Sequence, residues 1–198
     1  MIYGFFEGLG AYFNFLTEVF RRPEHWREYY RSFLREVDLL GFSSIALVCF
    51  ISLFMGAVVL IQTAMNLDNP FLADIYIAIA VREAIVLEFA PTIVSLILAG
   101  KVGSNIASTL GTMRVTEQMD ALRVMGINPA SYVVLPKIAA CLLFNPILVI
   151  FGMLLGMVGG YLAGDLLNLV NIEVYLSGYF MEFFPHYVTY SLTKTFVF

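Results

Sequence analysis

Ionisable side chains are scarce in this chain, and those beside apolar runs are where its chemistry has to be sought. Glu88 heads an apolar run, with Pro91 three positions later and Arg82 and Glu83 just before it. A carboxylate at such a place points to a polar headgroup contact or to a proton relay, because ionisable groups near membrane depth tend to be functional. Read without that role, it is an interfacial carboxylate at a helix start. Asp74 is a second candidate relay carboxylate. Lys101 interrupts the same run and either snorkels to headgroups or pairs with a neighbour.

A second set of polar residues is contiguous. Residues 111–129 read GTMRVTEQMDALRVMGINP. Thr116 suits an N-cap, and Glu117 and Asp120 fall in a first turn, where the helix dipole favours negative charge. Arg123 falls in the last turn, Gly126 suits the position after the cap, and Pro129 blocks continuation. Met119, Leu122 and Met125 make a narrow apolar stripe beside Glu117, Asp120 and Arg123. Such a helix of about ten residues is marginal alone in water. It therefore rests on the protein's own helices or on a partner, and composition does not choose between them.

Other chemistries find little support. The only histidines are His25 and His186, and neither H-E-x-x-H nor G-x-S-x-G occurs. An intramembrane lipid enzyme thus lacks a convergent set of groups. No G-x-x-x-x-G-K-[ST] segment is present, so no nucleotide site is expected. Cys49 and Cys141 lie in apolar runs and read as small hydrophobes, not as metal ligands or a disulfide. A proton-driven secondary transporter would use Glu88 and Asp74, but inverted repeats are not visible.

The elements that position these residues are membrane elements. Of 198 residues, 60% are hydrophobic and 13% charged, with mean hydropathy +0.85; soluble domains carry about 25% charged residues. Gly41–Leu67 and Ile138–Gly164 are charge-free runs of 27 residues, long enough to span a bilayer. Pro146 in the second is tolerable in a transmembrane helix. Phe89–Met113 is broken only by Lys101. Its Gly100, Ser104 and Ser108 fall four apart, as do Gly103, Ala107 and Gly111, a pattern that favours close packing against another membrane helix. Residues 1–40 mix Phe5, Leu9, Tyr12, Phe13, Trp26, Tyr29 and Tyr30 with Arg21, Arg22, Arg27, Arg31 and Arg35, which reads as an amphipathic interfacial helix. The run after Glu182 is too short to cross a bilayer and reads either as the start of a truncated span, the favoured reading, or as a helix lying at an interface.

Lys and Arg placement orients the chain. The N-terminal segment has five arginines, and Arg114, Arg123 and Lys137 flank the capped helix. Residues 68–88 carry only Arg82, and residues 165–185 carry no Lys or Arg. The N-terminus and residues 112–137 are therefore expected on the cytoplasmic side.

Residues Glu88 to Ala139 also carry a resemblance. E-x-x-P (Glu88, Pro91), A-G-K-V-G-S (99–104), G-T-M-R-V-T-E-Q-M-D-A-L (111–122), G-I-N-P (126–129) and P-K (136–137) closely resemble the MlaE-type permease family, the membrane subunits of ABC transporters that work with MCE-domain proteins. The resemblance covers roughly residues 1–198. It implies an all-α integral membrane protein, in one permease domain with an interfacial region (1–40), spans at 41–67, 89–113 and 138–164, a cytoplasmic coupling segment (114–128) and the start of a further span at 183–198. The family continues past this point, which implies that its last span or spans are missing here.

The resemblance also implies roles. Arg114, Thr116, Glu117, Gln118, Asp120, Ala121, Leu122, Arg123 and Met125 would contact a cytoplasmic ATPase subunit, which uses the ATP; this chain would bind no cofactor. Glu88, Pro91 and Arg82 would lie on a lipid pathway, and Gly100, Gly103, Ser104, Ala107 and Gly111 would pack helices. Family members often have a basic residue beside this Glu, whereas position 87 is Leu, so Arg82 and Glu83 stand as substitutes for a charge-paired headgroup site. Implied partners are the ATPase, a periplasmic MCE-domain protein, a second copy of the chain and membrane lipid, with no nucleic acid. The implied location is a bacterial inner membrane, multi-pass.

Overall fold

The structure is a computed structural model that describes residues 2–20, 26–67, 74–181 and 184–197. Arg21, Arg22, His25 and Glu182 lie outside the described residues, as do the side chains of Phe5 and Asp74. The described residues form helices and contain no strand. In chain order these are α1 (Ile2–Val19), α2 (Trp26–Glu36), α3 (Ser43–Asn66), α4 (Asp74–Glu83), α5 (Ala90–Val115), α6 (Gln118–Val124), α7 (Pro129–Leu167), α8 (Ile172–Phe180) and α9 (His186–Val197). Wider π-helical turns at Val37–Phe42 and Ala84–Phe89 join α2 to α3 and α4 to α5.

Three stretches are long and apolar enough to cross a membrane: Trp26–Asn66, Ile75–Val115 and Pro129–Leu167, of 41, 41 and 39 residues. At about 1.5 Å per residue each is roughly 60 Å long, twice the ~30 Å hydrocarbon core. Each helix therefore overruns the apolar run that marks it in the sequence. The protein is an all-α membrane protein, as its composition and runs indicate.

The chain divides into two compact units. The first holds residues 1–42 and 100–143: α1, α2, the end of α5, α6 and the start of α7. Its core is Val19, Ala130 and Val134, with Ile106, Leu110, Leu135 and Ile138 packed on them. The exposed side of α2 carries Arg27, Arg31 and Arg35 at four-residue spacing beside Tyr30 and Leu34, which suits an interface between water and lipid.

The second unit holds residues 43–99 and 144–198. Here α3 crosses α7 at backbone contact. A Cβ on Gly56 would overlap the Gly156 carbonyl, and one on Gly159 would overlap the Leu53 carbonyl. The sequence signal for this crossing is Gly152, Gly156, Gly160 and Gly164, four apart on one face of α7. Small-residue packing was expected instead on α5. On α5 itself, Ser104 and Ala107 are exposed, and a Cβ on Gly100, Gly103 or Gly111 would meet nothing within 4 Å. Within the described residues that face is uncovered.

Candidate functional site

The helix α6 is defined by its ends. At its C-terminus the Gly126 N–H donates to the Arg123 carbonyl (3.0 Å) and the Ile127 N–H to the Leu122 carbonyl (3.0 Å). With Gly126 at φ 80°, this is a Schellman closure, which needs a residue tolerant of the left-handed region after the cap. Asn128 then caps the next helix, its Oδ1 accepting the Ala130 N–H at 3.0 Å, and Pro129 occupies the first position of α7, where its missing N–H is harmless. The G-I-N-P tetrad is thus a stop and a start packed into four residues. Pro129 ends nothing; it opens α7.

The N-terminus of α6 departs from expectation. Thr116 is no N-cap. Its N–H and its hydroxyl both donate to the Thr112 carbonyl, at 3.0 and 2.8 Å, so it extends the last turn of α5. The chain reverses at Glu117, which takes φ 58° in the left-handed region and makes no side-chain capping bond. That conformation costs a non-glycine residue about 1–2 kcal/mol, and strain of this kind persists only where the surroundings impose it.

No residue of α6 is buried. Arg114, Glu117, Gln118, Asp120, Ala121, Arg123 and Met125 are exposed, as is Thr116, while Met119 and Leu122 are half-buried. Asp120 and Arg123 face each other at 3.8 Å, both well solvated, an arrangement worth little by itself. The most exposed apolar residues of this region are Val115 and Val124, at 85% and 89%. The sequence reading named neither. Their signal was available: β-branched residues are poor choices for a solvated helix surface.

In the second unit, Glu88 sits in the π-helical turn Ala84–Phe89, where the Ala90 N–H bonds to the Ile85 carbonyl five residues back. Pro91, buried one turn on, supplies no N–H to Leu87, and its ring crowds that carbonyl. Lys194 of α9 resolves this. Its Nζ donates to the Leu87 carbonyl at 3.2 Å and to Glu88 Oε2 at 2.7 Å. The basic partner of Glu88 therefore comes from a distant helix, in place of the neighbour at position 87. Lys194 was not singled out from the sequence, because nothing local marks it.

Arg82 goes elsewhere. Its guanidinium is 2% exposed, and Nη1 donates to the carbonyls of Gly178, Tyr179 and Met181 at 3.4, 3.0 and 2.6 Å. These are the last carbonyls of α8 and the residue after it, where cations are favoured by the helix dipole. Nη2 lies 3.8 Å from Glu83. The Tyr175 and Tyr179 hydroxyls share a 2.7 Å hydrogen bond on the same helix, and burial holds the Tyr175 phenol well above its usual range. Separately, α3 carries an open, mainly apolar groove of about 380 Å³ lined by Val58, Ile61, Gln62, Met65 and Asn66. Among the described residues no His, Cys, Asp and Glu cluster could hold a metal ion.

A family model described as Permease MlaE matches residues 33–198, through both units and every motif above. The chain belongs to the MlaE permease family. A probable ABC transporter permease of Rickettsia prowazekii is 36% identical over 193 residues, 96% of this chain and 73% of that protein. The intermembrane phospholipid transport system permease MlaE of Haemophilus influenzae is 29% identical over 161 residues, 81% of this chain and 61% of its own length. The chloroplastic protein trigalactosyldiacylglycerol 1 of Arabidopsis thaliana is 28% identical over 188 residues, 51% of its length. The chain spans 51–73% of the length of these three relatives. The family places this chain among transport subunits, not enzymes.

Proposed function

We propose that this chain is the permease subunit of an ABC transporter that moves phospholipid or another hydrophobic lipid between the inner membrane and a periplasmic MCE-domain protein. Hydrolysis belongs to a separate cytoplasmic ATPase, and the chain itself lacks a nucleotide site. Two copies of the permease pair, each presenting α6 to one ATPase. The Lys and Arg distribution sets the N-terminus and α6 on the cytoplasmic side. The observation that carries this reading is α6 itself, in a family of permeases. It is closed at its C-terminus by a Schellman turn and reversed at its N-terminus by a strained Glu117, and none of its residues is fully buried. Rigid ends with an unburied, mixed-charge surface suit a helix that must seat in a soluble partner.

Co-purification of the chain with its ATPase tests this. Asp120→Arg or Leu122→Asp is expected to reduce association by about tenfold or more, the range seen when a central interface residue is lost. Retention of the ATPase by both variants at the parent level would remove the seat from α6.

The lipid path is proposed to run by the α3 groove and the Glu88–Lys194 pair. Apolar walls accept acyl chains, while a carboxylate and an ammonium with one another as partners can exchange that contact for a headgroup's charges. Glu88 is two-thirds exposed, so the pair adds little stability, at most about 1 kcal/mol. Glu88→Gln, which keeps the Lys194 bond to the Leu87 carbonyl, is therefore expected to leave folding nearly unchanged and to slow the transfer of a fluorescent phospholipid from proteoliposomes. Transfer at the parent rate would take the pair off the path.

A further inference from the structure

The first unit holds a buried ionic hub. Lys137, about two turns into α7, is 3% exposed. Its Nζ donates to Glu36 Oε1 at 2.7 Å and to Asn105 Oδ1 at 2.6 Å. Glu36 is the last residue of α2, and Asn105 lies on α5. Three helices therefore meet on one nitrogen. A buried ammonium is tolerated only when paired and hydrogen-bonded, and such pairs add little net stability over an apolar core. What an ion pair adds over greasy packing is a defined register.

The register concerned is that of α6. The two helices that hold it, α5 before and α7 after, are clasped at Asn105 and Lys137, which closes the 32-residue loop containing α6. A second tie lies at the exit corner, where Asn128 Nδ2 donates to the Glu18 carbonyl of α1 at 3.0 Å. Without the clasp, a push on α6 would be absorbed by one arm sliding past the other. With it, the ends of α5 and α7 that flank α6 are held to one another. Glu36 brings in α2, whose other face carries Arg27, Arg31 and Arg35. The second oxygen, Glu36 Oε2, is buried and accepts no hydrogen bond among the described residues, so Lys137 alone holds that carboxylate.

We propose that Lys137 is a positioning residue that converts movement of α6 into joint movement of α5, α7 and the interfacial helix α2. This rests on the transport reading above. The decisive variant is Glu36→Leu with Lys137→Met, which replaces the pair by apolar groups of similar size and keeps the unit packed. Asn105→Leu is the milder companion, since it frees α5 and leaves the ion pair. Each full-length protein is reconstituted with its ATPase in proteoliposomes, and phospholipid moved per ATP hydrolysed is read beside ATPase association and thermal midpoint. A fall of about five- to tenfold in lipid per ATP, with association and midpoint retained, is expected for both. An unchanged ratio in either variant overturns the proposal, as does a loss confined to the midpoint.

A second readout needs no partner. Spin labels at exposed Tyr30 of α2 and Val124 of α6, with Cys49 and Cys141 changed to Ser, are expected to give a narrow distance distribution that broadens in both hub variants. An unbroadened distribution also overturns the proposal. If the wild-type chain fails to hold its ATPase while this distance still responds, the transport reading falls and the hub stands.

Discussion

Gly159→Val is expected to separate α3 from α7 and to lower the stability of the second unit by about 3 kcal/mol or more, the upper end for overpacking a filled site. The obstacle is backbone. A Cβ at Gly159 would overlap the Leu53 carbonyl, and Gly56 presses on Gly156 in the same way one turn along the crossing. A flexible side-chain end could swing aside; a helix carbonyl cannot without moving its helix. Dispersion contacts along the crossing would be lost together, and in lipid no hydrophobic force pulls the helices back. The measurement is the thermal midpoint in detergent, with Gly103→Ala and Gly111→Ala on α5 as controls. A Cβ at those two positions meets nothing within 4 Å, and alanine is the better helix former, so the isolated chain should be unaffected or slightly more stable. Equal midpoints for Gly159→Val and its parent would show that the crossing is not a close one.

Arg82→Met is expected to release the C-terminal end of α8. Three carbonyls, of Gly178, Tyr179 and Met181, lose a charged donor whose side chain is buried. Hydrogen bonds to charged groups contribute about 1.5–3 kcal/mol each, and acceptors stranded in an apolar setting cost a similar amount. Because the three share one nitrogen, the loss is less than their sum, about 3 kcal/mol. Methionine keeps the stem's volume, so the effect reads the guanidinium and not a cavity. Hydrogen exchange of the α8 amides locates it: those over 175–181 should exchange faster, while the α6 amides stay as in the parent. Arg82→Lys should recover part of the protection, since an ammonium restores the charge without the fixed fork. Unaltered α8 protection in Arg82→Met would leave the three hydrogen bonds without energetic weight.

Local sequence settled a great deal. The charge-free runs placed the long helices, because a stretch of about 20 apolar residues has few stable alternatives to a membrane helix. Gly126 was legible as the left-handed position after α6, whereas Asn128 as the N-cap and Pro129 as the first residue of α7 emerge only with the helix that follows, because a proline after a glycine suits a stop as well as a start. The motif run from Glu88 to Lys137 was sufficient to find the family. Local reading failed at Thr116, where a hydroxyl that suits an N-cap also suits a back-bond to the carbonyl four residues earlier. The choice depended on how far α5 continued.

Tertiary structure alone decided the partners. Lys194 meets Glu88 across 106 residues, Lys137 meets Glu36 across 101, and Arg82 meets α8 across 96 to 99. Helices apolar all round carry no stripe that says which side turns inward, so their sequence does not reveal which polar residue will face which. The glycine crossing of α3 and α7 shows the same limit. Rows of small residues occur on both α5 and α7, and only the packed chain shows that the row on α7 is filled by a neighbour while the row on α5 is uncovered among the described residues.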